Sequence, residues 1–310
     1  MILCITPNTA LDRTLVVPNF SAGAVYRVQR VVLLAGGKGL NVARALKIFG
    51  TQTICAGFIA GQSGQLFADL AVQDGLEGVW TRVDGETRTC VSIADPNSGE
   101  TTVLNEQGSP VTADDWDHLQ RDVLELAAKP QYVCITGSLP RDSLLENYID
   151  LIRVLQSKGH KVWVDTSGAA LRAAITALPT GIKINHLEAA EVLESDIPDV
   201  QAAAHAARTI QSMGIESVII TMGKAGAVFA DKTGIYHAVS PQIEAVSTVG
   251  SGDVFCAGLL NALSRGAVHA EALRQAVTAG AANTLTIGAG YFEMSDFERL
   301  LQQTSIVRLA

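Results

Sequence analysis

Ser247-Thr248-Val249-Gly250-Ser251-Gly252-Asp253, followed at once by Val254-Phe255-Cys256-Ala257-Gly258-Leu259-Leu260, joins a Gly/Ser/Thr-rich turn to an apolar segment with helical spacing. One carboxylate sits at the junction. Glycines let such a turn expose several backbone N–H groups, and the following helix adds its own unpaired N–H groups and the positive end of its dipole. Together these form an anion cradle with an acid inside it. That arrangement suits removal of a proton from a hydroxyl that attacks phosphate. The same residues equally fit an N-capping turn with Asp in the first helical turn. The rest of the chain has to separate the two readings.

Working outward, 310 residues with 48% hydrophobic content and 28 glycines suit a large α/β scaffold with a substantial core. A formal net charge of −8 argues against nucleic acid or anionic membranes as partners. The charge is uneven: no Asp or Glu occurs from Arg13 through Ala68, whereas Arg13, Arg27, Arg30, Lys38, Arg44 and Lys47 all do. A basic stretch in an acidic chain points to a local site for an anionic small molecule, although each residue singly also fits a solvated face. Cys4, Cys55, Cys90, Cys134 and Cys256 are scattered, without a C-x-x-C pair, and read as reduced residues of a cytoplasmic protein. Ile2-Leu3-Cys4-Ile5 reads as a strand rather than a signal peptide, and no stretch has the length of a membrane span.

Ile2–Thr6 is the apolar run of a strand buried on both faces, ending in a loop over 7–12. Further β-like runs lie at 14–17, 27–34, 90–94 and 101–104; they are expected to form a small separate sheet, a lid made of about 12–35 and 86–105. Between them, Ala35-Gly36-Gly37-Lys38-Gly39-Leu40-Asn41 leads into a helix that ends before Gly50. From Asp114 onward helices and strands alternate. The pattern predicts helices over 114–128, 143–158, 168–177, 187–194 and 199–213, and strands over 132–136, 161–165, 182–184 and 217–221. A hairpin over 226–238 and helices near 253–265, 269–287 and 295–303 complete the chain. Such alternation implies a mostly parallel sheet with ligands at the carboxyl ends of its strands. Those ends carry Thr136-Gly137-Ser138, Asp165-Thr166-Ser167, Asn185-His186-Leu187-Glu188 and Thr221-Met222-Gly223. Neither a Walker A loop nor a G-x-G-x-x-G dinucleotide turn is present.

Taken in order, these stretches resemble the PfkB/ribokinase family of carbohydrate kinases over essentially the whole chain. Ala35–Arg44 resembles the family's first signature and Ser247–Gly258 its second. Thr6-Pro7-Asn8-Thr9-Ala10-Leu11-Asp12, Thr87-Arg88, Thr136-Gly137-Ser138-Leu139-Pro140 and Asp165-Thr166-Ser167-Gly168 look most like the hexose-phosphate branch, which includes 1-phosphofructokinase, tagatose-6-phosphate kinase and the minor 6-phosphofructokinase. The resemblance implies a ribokinase-like three-layer αβα fold over 1–310, a single kinase domain with a β-sheet lid, and a homodimer formed through that lid. It implies ATP as co-substrate, Mg²⁺ as cofactor and a sugar phosphate as acceptor. It makes Asp253 the general base, with Gly250, Ser251 and Gly252 cradling the transferring phosphoryl group.

By the same resemblance, Asp12, Gly36, Gly37 and Asn41 hold the sugar, while Arg27, Lys38, Arg88 and Ser138 surround its existing phosphate. Lys183, Asn185, Thr221, Gly223, Gly226 and Asn283 face ATP, and Asn185 with Glu188 organises Mg²⁺ through water. A capping Asn with a helix-start Glu fits that last pair equally well. The chain departs from the family in Gly250-Ser251-Gly252-Asp253, where Ala is usual at the second position, and in Lys183-Ile184-Asn185, where Pro is usual in the middle. A kinase for an unphosphorylated sugar or nucleoside, and a non-catalytic sugar-phosphate sensor, are the competing functions.

Overall fold

A computed structural model describes residues 1–126, 130–286 and 288–309. In chain order the strands are β1 (Ile2–Asn8), β2 (Ala10–Val16), β3 (Arg30–Gly36), β4 (Thr53–Ala60), β5 (Gly78–Val83), β6 (Arg88–Ala94), β7 (Thr101–Asn105), β8 (Tyr132–Thr136), β9 (Lys161–Asp165), β10 (Gly181–Asn185), β11 (Ser217–Thr221), β12 (Ala227–Asp231), β13 (Gly234–Val239) and β14 (Ser305–Arg308). The helices are α1 (Lys38–Ile48), α2 (Gly61–Gln73), α3 (Ala113–Leu124), α4 (Leu145–Ser157), α5 (Gly168–Ala177), α6 (His186–Leu193), α7 (Val200–Ser212), α8 (Ser251–Ser264), α9 (His269–Asn283) and α10 (Met294–Leu301).

Ten strands form one sheet in the order β14-β13-β12-β11-β10-β9-β8-β1-β4-β5. From β5 to β11 every neighbouring pair is parallel, and β12, β13 and β14 extend the sheet antiparallel. All of β1 is buried, and its side chains alternate between two cores: Ile2 and Cys4 pack with α1, α2, α8, α9 and α10, Leu3 and Ile5 with α3 to α7. Two helical layers therefore cover the sheet, as the alternation predicts. A second sheet of four strands, β3-β2-β6-β7, stands at the carboxyl end of β1. Among the described residues, no helix is long and apolar enough to cross a membrane.

Several boundaries differ from the sequence reading. The expected loop over 7–12 is extended chain: β1 runs to Asn8 and β2 begins at Ala10, and a register shift between Thr6 and Asn8 accommodates Pro7, which lacks an N–H for the ladder. Strand β4 carries no assignment in the sequence reading; its Gly57 permits a close approach to β1, since an added Cβ would lie 2.1 Å from Thr6 O. Helix α2 and strands β5 and β14 were likewise unassigned. The strand expected at 27–34 begins at Arg30, which leaves Arg27 outside any element. Helices α3 and α9 end at Leu124 and Asn283, short of the expected 128 and 287: residues 125–126 and 284–286 lie outside the helices, and 127–128 and 287 lie outside the described residues.

Candidate active site

Three features converge at the carboxyl edge of the parallel sheet: the N-terminus of α8, the N-terminus of α1, and the ends of β9 and β10. Gly250 is the N-cap of α8 with φ +82°, a left-handed conformation that glycine accepts without strain, and no side chain caps the helix. The turn is thus an N-capping turn with Asp253 in the first helical turn, but the Asp253 carboxylate is turned away from the cap. It is 6% exposed and accepts a hydrogen bond from Asn41 Nδ2 at 2.8 Å. Ser251 N–H turns back to Thr248 O at 3.3 Å, while among the described residues the N–H groups of Gly250 and Gly252 have no acceptor. These two are the open donors of the expected cradle. A Cβ on Gly252 would lie 3.0 Å from Lys183 Nζ, so the ammonium lies directly against the turn.

Asp165, at the end of β9, was quoted from the sequence only as part of a strand-end motif, yet it ties the centre together. Its Oδ2 pairs with Lys183 Nζ at 2.8 Å and its Oδ1 with Lys38 Nζ at 3.4 Å. Burial alone would raise its pKa, but the two ammonium groups outweigh burial and hold it below the ordinary carboxylate range. Burial would lower Lys183, and Asp165 overrides this and raises it; Lys38 is likewise raised, chiefly by Asp165. Asp253 shifts in the opposite direction to Asp165. Loss of water pushes its pKa up to about 6, against the opposing pull of Lys38 and the Asn41 amide.

On the small sheet, Asp12 of β2 lies against Gly36, where a Cβ would sit 2.2 Å from its carboxyl carbon. Burial raises its pKa, countered by the Arg44 charge and by the Gly37 N–H. Gly37 has φ +106°, and a side chain there would strike Thr6 Cγ2. Arg88 of β6 donates from Nη2 to Asn8 O at 3.0 Å, from Nη1 to Glu106 O at 3.1 Å and from Nε to Thr9 O at 3.4 Å. Three of its five N–H donors are thus engaged. Asn8 in turn donates to Ser138 Oγ at 3.1 Å, which links β1, and through it Arg88, to the loop after β8. Arg27 is exposed between β2 and β3 and makes no hydrogen bond or ion pair with this group among the described residues.

On the far side, Asn185 and Glu188 form a capping box on α6. Asn185 Oδ1 accepts from the N–H groups of Leu187 and Glu188, and Glu188 Oε2 accepts from Asn185 N–H at 2.8 Å. Burial raises the Glu188 pKa. Its second carboxylate oxygen is left for water or a hydrated cation. Among the described residues no group of three His, Cys, Asp or Glu could enclose a metal ion. Thr221 Oγ1 donates to Ile184 O at 3.4 Å, and Gly223 opens the short 3₁₀ turn Gly223–Ala225 that ends at Gly226. Asn283 is fully buried, its amide donating to Gly288 O and Tyr291 O. The amide nitrogen thereby holds the loop after α9, while among the described residues its buried Oδ1 has no hydrogen-bond partner. The sequence reading also assigned no role to Arg44, although the residue lies inside the first signature stretch, three positions after Asn41.

The model of the family described as "pfkB family carbohydrate kinase" matches residues 3–295. A 1-phosphofructokinase of Haemophilus influenzae is 32% identical over 309 residues, covering 99% of this chain and 98% of that protein. A tagatose-6-phosphate kinase of Staphylococcus epidermidis is 29% identical over 315 residues, covering the whole of both. Among solved structures, phosphofructokinase-2 of Escherichia coli superposes with a TM-score of 0.91 at 27% identity, over 97% of this chain and 98% of that one. With matches of this extent on a shared three-layer fold, the chain belongs to the pfkB family of carbohydrate kinases, phosphotransferases that act on an alcohol group.

Proposed function

We propose that this protein transfers the γ-phosphoryl group of ATP to a hydroxyl of a ketohexose phosphate, giving the bisphosphate, as a kinase of the 1-phosphofructokinase or tagatose-6-phosphate kinase type. The observation that carries the reading is the buried Asp253 carboxylate, oriented by Asn41 and placed at the α8 turn beside Lys183. Asp253 takes the proton of the attacking hydroxyl, while the open N–H groups of Gly250 and Gly252, with Ser251 between them, receive the charge of the phosphoryl group in transit. Asp12, Gly36, Gly37 and Asn41 orient the sugar. Lys38, Ser138 and Arg88, with Arg27 swinging in from its exposed segment, take its phosphate. Lys183, Asn185, Thr221, Gly223 and Gly226 border the nucleotide. Glu188 and Asn185 hold the water shell of Mg²⁺, which when bound neutralises charge on the ATP phosphates. The whole chain acts as one kinase domain with the four-stranded sheet as its lid, in a reducing, cytoplasmic setting in which all five cysteines stay free.

A second reading, a kinase for an unphosphorylated sugar, is favoured by two observations: Arg88 spends three donors on backbone carbonyls, and Arg27 is exposed. ADP release with fructose 1-phosphate, fructose 6-phosphate, tagatose 6-phosphate and their unphosphorylated parents separates the two. The first reading expects turnover of at least one phosphate ester with kcat/KM about 100-fold above its parent sugar, a gap typical of losing charge-assisted hydrogen bonds. Arg88→Ala should then raise the sugar-phosphate KM about 10-fold or more while leaving the KM for ATP near the wild-type value. Equal use of phosphorylated and free sugars would reject the phosphate clamp.

A further inference from the structure

The side-chain amide of Asn41 has a donor end and an acceptor end that exchange places by a flip. Its donor end faces Asp253, and its acceptor end, Oδ1, receives Arg44 Nη1 at 3.0 Å. A flipped amide would set its oxygen against the carboxylate and its N–H groups against the guanidinium, two repulsive contacts at once. Arg44 is itself 4% exposed, and each of its three side-chain nitrogens donates a hydrogen bond. Its Nε and Nη2 meet Asp74 Oδ2 at 2.9 and 2.6 Å, and Nη2 also reaches Ala35 O. The Tyr291 ring lies 5.9 Å from the guanidinium carbon, and Gly290 packs on the backbone of Asn41 and on Arg44 Cβ. Asp74 stands at the C-cap of α2, and nothing in the reading of the active centre gives it a part. A buried guanidinium without such a partner would be strongly unfavourable.

We propose that Arg44, anchored by Asp74, is a positioning residue for phosphoryl transfer: it locks the Asn41 amide with its N–H toward Asp253, so that the base always carries a fixed hydrogen-bond donor. The proposal rests on the reading of Asp253 as the general base. A fixed donor favours the ionised carboxylate, and a donor free to rotate favours it less. Lys38, Asp165 and Lys183 also face Asp253, and Arg44 faces Asp12 and Cys55 as well. All of these stay unchanged in the variants below. In Arg44→Lys the single ammonium can satisfy Asp74 or Asn41 but not both. Asp74→Asn removes the charge that holds the guanidinium while changing a partly exposed residue.

The test is the pH profile of kcat for the wild type, Arg44→Lys, Asp74→Asn and the double variant, between about pH 5 and pH 9, with Asp253→Asn measured alongside. Substrate phosphates titrate identically in every protein, so only the displacement between profiles is read. Each single variant should move the acid limb upward by about 0.5–1 pH unit. kcat near pH 6 should then fall several-fold and recover toward wild type above about pH 8, with the KM for ATP little changed. The double variant should move the limb no further than Arg44→Lys, because both changes act through one link. Superimposed profiles, or a loss that is equal at every pH, overturn the proposal. If Asp253→Asn keeps most of its kcat, the base reading fails instead, whatever Arg44 does. Should Arg44→Lys not fold, Asp74→Asn decides by the same criterion.

Discussion

At Asp253 two influences oppose each other: exclusion of water raises the proton affinity of the carboxylate, and Lys38 with the Asn41 amide lowers it, leaving a pKa of about 6. A base must be unprotonated to act, so activity should fall as the pH drops through about 6 and stay flat above it until another group titrates. Asp253→Asn should lower kcat by about 10³-fold while sugar-phosphate binding, followed by calorimetry, stays within a few-fold of wild type. Binding that collapses with turnover would assign the residue to the sugar instead. Asp253, Asn41, Lys38 and Lys183 were legible in the sequence because each lies in a short stretch whose Gly pattern or strand-end position marks it. The link from Arg44 to Asp74 and the two lysines on Asp165 were not. Their partners are 30, 127 and 18 residues apart, and no local spacing encodes which distant side chains will share a carboxylate.

Among the elements, α8 carries the largest burden, since its first turn carries Asp253 and the rest of it is buried against α1 and α9. Gly258 is where α8 and α9 approach most closely: a Cβ there would lie 2.7 Å from Ala279 Cβ and 3.0 Å from Gln275 O. Gly258→Val should cost about 1–3 kcal/mol from overpacking, net of its better helix propensity. Thermal unfolding should show Tm reduced by several degrees, and an unchanged Tm would mean that the two helices part without cost. The helices and the parallel strands after residue 130 were legible because their periodicities alternate cleanly. Strand β4 was not assigned; its Gly57 serves a close backbone approach to Thr6 of β1, a contact that local spacing does not encode. The Asn185–Glu188 pair fits both readings it was offered, as the capping box it visibly forms leaves one Glu188 oxygen over.

For the whole molecule, the small sheet ends in two unpaired edges, β3 and β7, and exposes Val31, Val103 and Leu104. Such edges favour association. We expect a dimer that packs these sheets together, with Leu104→Asp shifting light scattering at micromolar concentration toward the monomer; a monomeric wild type would reject this arrangement. The uneven charge of the sequence is brought to the centre in part by one helix, α1, which carries Lys38 and Arg44, while Arg27 lies on an exposed segment between β2 and β3.

The two sheets also share their covalent joints. Thr9 alone separates β1 from β2, and Gly37 alone separates β3 from α1. Thr9 is pinned through its hydroxyl to Phe58 O and through its carbonyl to Arg88. The small sheet is also tied to the rest of the chain by the longer segments 84–87 and 106–112, so these one-residue joints are its shortest links. The second leads straight into the first turn of α1, where Lys38 and Asn41 sit, leaving a single residue, Gly37, to absorb any change in the position of β3.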